Sequence, residues 1–387
     1  MLKIGLLIER ERAWGRLLCE GVAAFAQSGA DWALEMLERS ELRRPTSVLR
    51  QFDGFLARIT DAAVARRFAA IGRPVADLSC ERLLDGIFRR GVIQDNNAIG
   101  RLAARHFIEH RFSEFAFCGF DGKRFSDERR DAFVRCLRLN RFDCRLYRTP
   151  RAAVREFDES VSRHERLGAG ADATSLQTWL RSLPKPIAVF CANDLRSFQL
   201  LRACERVGLQ VPHDVAILGV DNDSLICNFT PPSLSSIDPD AFELGRTAAE
   251  FLDGILSGKT EKPPRKIPPK ELIVRRSTET YPLDPPWLSD ALVFIRRNVN
   301  RHLTASDVYS HLNLSHTRVN AIFSKKLGTT VQREIRAAQL AEAKHLLTTS
   351  SLPLNEIARR SGFASPQYFC NVFTAAFGHA PSAERLN

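Results

Sequence analysis

The chain has 387 residues, 44% of them hydrophobic, and a formal net charge of +11. That length exceeds one ordinary core and implies two or three domains. No apolar run approaches the roughly 20 residues that span a bilayer. The short apolar run inside Met1–Arg10 is too brief for the core of a secretion signal and reads as a first strand. Nine scattered cysteines without a CxxC pair suit reduced thiols in the cytoplasm. From Asp284 to Asn387 there are 12 Lys/Arg against 7 Asp/Glu, and five of the nine His fall in the same stretch. A basic excess concentrated at one end suggests an acidic partner.

In chain order, strands are predicted at Lys3–Ile8, Gly54–Ile59, Pro74–Asp77, Phe115–Gly119, Ile187–Cys191 and Ala216–Val220. Helical periodicity falls between them, at Arg16–Gln27, Ala62–Ile71, Ile99–His110, Asp127–Leu139 and Leu195–Val207. Such alternation implies an α/β region of two parallel sheets flanked by helices. Three prolines and small polar residues over 277–286 mark a linker. Beyond it only helices are predicted: Pro286–Asn298, Thr304–His311, His316–Lys326, Val331–Thr348, Leu354–Arg360 and Pro366–Phe377. The expected domains are therefore 1–276, a linker at 277–286, and an all-α domain at 287–387.

Two units in the last hundred residues share one design. In the second, Ile357 and Ala358 face inward, Gly362 opens a turn, Ser365 caps the next helix and Pro366 takes its first position. Phe369, Phe373 and Phe377 make a buried stripe, which leaves Gln367 and Asn371 outward, and such amides suit bidentate contact to adenine. In the first, Ser315 caps a helix whose Val319, Ile322 and Phe323 face inward, so that His316, Thr317, Arg318, Asn320 and Ser324 face outward. The helix Val331–Thr348 between them is long enough to hold the units apart. Paired helix-turn-helix motifs predict binding to double-stranded DNA, through the five outward residues of the first unit and Ser365, Pro366, Gln367 and Asn371 of the second.

Ile357-Ala358, Gly362-Phe363, Tyr368-Phe369, Phe373, Gly378, Pro381 and Arg385 resemble the DNA-binding domain of AraC/XylS-type regulators. Departures are Ala321 and Thr374-Ala375, where that family carries basic residues, and Gln339 in place of an arginine.

Upstream, ligands of parallel α/β sheets sit beyond the carboxyl ends of strands, which singles out Asn193 and Asp221, and also Glu9 and Arg10. Trp14, Phe120 and Phe125 are candidates for an apolar face. Asn193-Asp194, Val211-Pro212, Gly219-Val220-Asp221, Pro232–Ile237 and Leu244-Gly245 resemble the sugar-binding core of LacI/GalR-type repressors and periplasmic binding proteins. That resemblance implies that Asp95, Arg129, Asn193 and Asp221 face a cleft between two lobes. It also implies a small sugar as effector, with vicinal hydroxyls held by carboxylates and a guanidinium. The domain order resembles regulators of xylose operons, which makes xylose or another pentose the first sugar expected.

The expectation is a cytoplasmic, sugar-gated transcription activator, a homodimer with RNA polymerase as a further partner and no membrane contact. A degenerate pocket serving another effector or a protein partner is the alternative. A plain solute-binding protein would lack the C-terminal helices. No phosphate loop, metal-spaced His/Cys set or nucleophile elbow points to an enzyme, a cofactor or a metal.

Overall fold

The computed structural model describes residues 1–81, 83, 92–160, 171–259 and 265–385. The chain divides into two compact units, Met1–Thr278 and Glu279–Asn387.

In the first unit β1 (Leu2–Leu7), β2 (Trp32–Met36), β3 (Gly54–Ala57) and β4 (Val75–Asp77) form a parallel sheet in the order β2-β1-β3-β4. The later strands are β5 (Val92–Gln94), β6 (Phe115–Cys118), β7 (Arg145–Leu146), β8 (Ile187–Cys191), β9 (Val215–Val220), β10 (Ser235–Asp238), β11 (Arg265–Ile267) and β12 (Glu271–Ile273). Six of these make a second sheet, β12-β10-β9-β8-β6-β7, parallel except for β12 at its edge. β5 and β11 pair as a separate parallel ribbon. The two helix-flanked parallel sheets expected from the alternation are present, and the unit is bilobal.

Helices of this unit are α1 (Ala13–Gln27), α2 (Thr46–Leu49), α3 (Ala62–Ile71), α4 (Asn96–Glu109), α5 (Arg124–Leu139), α6 (Arg151–Ser160), α7 (Ala173–Ser182), α8 (Asp194–Arg206), α9 (Ser224–Phe229) and α10 (Ala241–Leu256). Side chains alternate across a strand, so Phe115 and Phe117 of β6 join one core with Phe107 of α4 and Phe133 of α5. Ala116 and Cys118 join the opposite core with Leu180 of α7 and Leu200 of α8. β8 and β9 divide their residues in the same way. Burial on both faces is why these strands are unbroken apolar runs in the sequence.

α10 packs back onto the first lobe, where Leu244, Ala248 and Leu252 share a core with Ile4 and Leu18. A Cβ on Gly245 would lie 2.1 Å from the Leu18 carbonyl, so the α1 and α10 backbones meet closely because no side chain intervenes. The chain thus passes between the lobes after β5, after β10 and after β11. A fully buried pair crosses the second lobe: Arg196 donates to Asp172 at 2.6 Å, with Tyr147 Oη donating to the same carboxylate at 3.0 Å.

The second unit is all-α: α11 (Pro286–Arg297), α12 (Ala305–Leu312), α13 (His316–Leu327), α14 (Val331–Thr349), α15 (Leu354–Arg360) and α16 (Pro366–Phe377). At 1.5 Å per residue α14 is about 28 Å long. Its Val331 and Ile335 join one core with Val308, Val319 and Phe323, and its Ala343 and Leu347 join a second with Ile357, Phe369 and Phe373. One rigid helix therefore carries both small helical pairs.

Candidate functional site

The parallel strands of the first unit end against one cavity of about 360 Å³. Glu9 follows β1, Arg58 follows β3, Ser79 lies just beyond β4, Asn193 follows β8 and Asp221 follows β9, and all five line it. Arg129 reaches in from α5 and Asn96 from the start of α4, and Trp14, Phe125 and Phe157 supply aromatic wall. This is the usual place for ligands in open parallel sheets, at a volume usual for small-molecule sites.

Of the residues expected at this site, Glu9, Trp14, Arg129, Asn193 and Asp221 line the cavity, and Arg10 and Asp95 do not. Arg10 turns away to an exposed ion pair with Glu38 at 2.6 Å. Asp95 caps α4 by accepting from the Ala98 N–H at 2.9 Å, and its neighbour Asn96 takes the cavity-facing place. Asn193 serves twice, since its side-chain oxygen also caps α8 by accepting from the Arg196 N–H. Phe120 is buried and stacks on Phe157, with ring centroids 4.2 Å apart.

Strand-end reasoning missed Arg58 because β3 stops at Ala57, two residues before the expected end, and a residue inside a strand is not a loop ligand. It also missed Arg12, which a longer reading of the loop after β1 would have included.

Three guanidiniums converge here. Arg58 donates to Glu9 at 3.1 Å and lies 5.2 Å from the Trp14 ring. Arg129, only 4% exposed, donates to Asn96 Oδ1 at 3.0 Å and to the Ala192 carbonyl at 2.5 Å, and lies 5.3 Å from the Phe125 ring. Arg12 lies 5.1 Å from the Phe157 ring. Desolvation holds Arg12 below its ordinary value, and repulsion from Arg58 adds to that. For Arg58 the loss of solvent is outweighed by Glu9, which raises it. Burial lowers Arg129 against the pull of Asp221. Burial also pushes Asp221 up to about 6, although Arg129, Arg12 and Arg58 all favour its ionised form. Asp194 behind it is raised well above the carboxylate range, by burial and then by Asp221.

The second unit presents two helical pairs. Thr304 and Asp307 form a reciprocal capping box at the start of α12, and Asn313 takes a left-handed conformation at φ 50° in the turn before α13. Ser315 caps α13, and Ser365 caps α16 with Pro366 in its first turn. His316, Thr317, Arg318 and Ser324 are exposed on α13, and Pro366, Gln367 and Asn371 on α16. Asn320 is half-buried and donates to Tyr309 Oη at 2.7 Å, and Ser365 is also half-buried, its hydroxyl spent on its cap. Gln339 of α14 is buried and donates to the Gly362 carbonyl at 2.7 Å, tying the connecting helix to the second turn.

A periplasmic-binding-protein-like domain matches residues 104–278, and a helix-turn-helix domain matches 309–387. Fold and matches together define a sequence-specific DNA-binding transcription regulator with an effector domain, and not an enzyme.

Along its whole length the chain is similar to the xylose operon regulatory protein of Haemophilus influenzae, at 28% identity over 100% of this chain and 98% of that one. The xylose operon regulatory protein of Escherichia coli K12 is 27% identical over 99% and 96%. Among solved structures, the xylose-binding transcription activator xylR superimposes with a TM-score of 0.60 at 26% identity, covering 99% of this chain and 97% of that one. A LacI family regulator from Enterococcus faecium with bound ribose covers 73% of this chain and 100% of its own, with a TM-score of 0.56 at 22% identity. These findings correct the expected AraC/XylS membership: what matches is a helix-turn-helix domain at the C-terminal end and a periplasmic-binding-protein-like domain before it. Among the described residues no helix is long and apolar enough to cross a membrane, and no group of three or more His, Cys, Asp or Glu is placed to hold a metal.

Proposed function

We propose that this protein regulates carbohydrate-utilisation genes and that a small sugar in the cavity between the lobes gates it. The observation that carries this is one cavity, at the strand ends of both lobes, with Asn96, Asn193, Arg129 and Asp221 as hydrogen-bonding groups beside aromatic walls. Pentoses are the first sugars to test, because the Haemophilus influenzae and Escherichia coli relatives, similar along their whole length, are xylose operon regulatory proteins. Sugar bridging the lobes favours their closed arrangement by its differential affinity for it. DNA is read by His316, Thr317, Arg318, Asn320 and Ser324 of α13 and by Ser365, Pro366, Gln367 and Asn371 of α16. The protein acts in the cytoplasm as a homodimer and activates transcription through RNA polymerase.

Melting of the full chain against a panel of pentoses, hexoses and sugar acids tests the sugar. A ligand at 100 times its Kd adds about 2.7 kcal/mol, which moves Tm by several degrees. A panel with no active member overturns sugar gating and leaves the DNA-binding class intact.

A further inference from the structure

Resting on the sugar-gated reading, we propose that the effector is a disaccharide, with one ring in the main cavity between the lobes and the other in a side chamber of the first lobe. The side chamber has a volume of about 110 Å³. By itself that is below the roughly 300 Å³ at which small-molecule sites begin. It is not a separate space, however, because Glu9, Arg39, Arg58 and Thr60 line both it and the main cavity.

Topology sets the direction of the extension. β2, β1 and β3 are neighbours in their sheet, with β2 at the edge. The side chamber lies off their carboxyl ends, where Leu37 and Glu38 follow β2, Ile8 and Arg10 follow β1, and Arg58 follows β3. From the same sheet the main cavity takes Glu9, Arg58 and Ser79, which follow β1, β3 and β4. A ligand reaching from one space into the other therefore runs one strand closer to the sheet edge. On the way it passes the ion pairs Arg58–Glu9 and Arg39–Asp61.

The lining of the chamber suits a sugar ring. Ile8, Leu37 and Val64 are buried and make an apolar floor, whereas Arg10, Glu38 and Arg39 are exposed and make a charged rim. Arg10 donates to Glu38 at 2.6 Å. The rim thus sets a guanidinium donor beside a carboxylate acceptor, and neighbouring hydroxyls, each both donor and acceptor, can bond to the two together. An alkyl chain would answer the floor but not the rim. Among the described residues of this lining none is aromatic, so no ring is present to stack on a nucleobase or an aryl group. A ring with an apolar face and hydroxyls along its edge answers floor and rim at once.

Calorimetric titration of the full chain tests this with two sets of compounds. One is xylose, methyl β-xyloside and xylobiose; the other is glucose, its two methyl glucosides, cellobiose and maltose. At least one disaccharide is expected to bind about tenfold or more tightly than its monosaccharide and the matching methyl glycoside. Arg10 and Glu38 line the side chamber and not the main cavity. Arg10→Ala and Glu38→Ala should each cut the disaccharide preference to about threefold or less. A monosaccharide or methyl glycoside that binds as tightly as every disaccharide overturns the side-chamber assignment and leaves sugar gating standing. So does a disaccharide preference that survives both substitutions, or a loss shared equally by monosaccharide and disaccharide, which would mark a merely structural role. Binding by no compound overturns both readings.

Discussion

At the level of single residues, Asp221 shows how position and charge combine. It sits at the end of β9 with φ 111°, a conformation that L side chains rarely adopt, and its carboxyl titrates near 6. A folded-state pKa above the unfolded value of about 3.9 means that this group's contribution to stability is fully present below about pH 4. It is lost as pH rises through 6. Asp221→Asn is therefore expected to raise Tm at pH 7.5 and to leave it near the parent value at pH 4, as read by thermal melting at both pH values. The same substitution is expected to weaken sugar binding, since residues at ligand sites trade stability for function. Arg196 and Asp172 behave oppositely. Removing one partner strands a buried charge, so Asp172→Ala should cost about 3–5 kcal/mol in urea unfolding. Replacing both by apolar residues should recover much of that, and a double replacement no better than the single one would refute pairing as the cause.

At the level of elements, the helical pairs of the second unit depend on turn geometry and on which face is basic. Gly362 has φ 72°, and a Cβ there would lie 1.9 Å from the Val299 carbonyl. Gly362→Ala is expected to destabilise the second pair by more than about 1 kcal/mol and to lower DNA affinity, measured by melting and by anisotropy on promoter DNA. α13 carries Arg318, Lys325 and Lys326, whereas α16 carries no charged side chain. If Arg318 meets a phosphate, Arg318→Ala should reduce the salt slope of binding by about 1 and weaken all sequences alike. Gln367→Ala should leave the slope unchanged and cost about 1–3 kcal/mol at one base pair. The helix bounds of this region were legible almost to the residue, because Ser caps, a Pro at N1 and a Gly after the last turn are local signals. The function of Gln339 was not legible. An amide in place of an expected arginine looked like a lost contact, and only packing shows it bonded to the Gly362 carbonyl, 23 residues away.

For the whole molecule, gating implies reciprocity. If the effector tightens DNA binding by some factor, DNA must tighten effector binding by the same factor. Effector titrations of the full chain with and without promoter DNA should give equal and matching shifts. Unequal factors would mean that a third equilibrium, such as dimer formation, intervenes. Closure would turn on three crossings between the lobes, after β5, β10 and β11, and none of these strands was anticipated. Each has only three or four residues, too few for an alternating pattern to stand out.

The long apolar strands, the helices with clear periodicity, and the order of an α/β region followed by helical pairs are all written in local pattern. Residues a few positions apart decide them, through backbone preference and the side on which apolar groups fall. Which charged groups share the cavity was decided only by folding. Glu9 meets Arg58 across 49 residues, Arg129 meets Asn96 across 33, and Asp221 joins them from a different strand end. The pull of a buried charge acts through space and falls with distance, so the chemistry of this site appears only when separate strand ends are brought together.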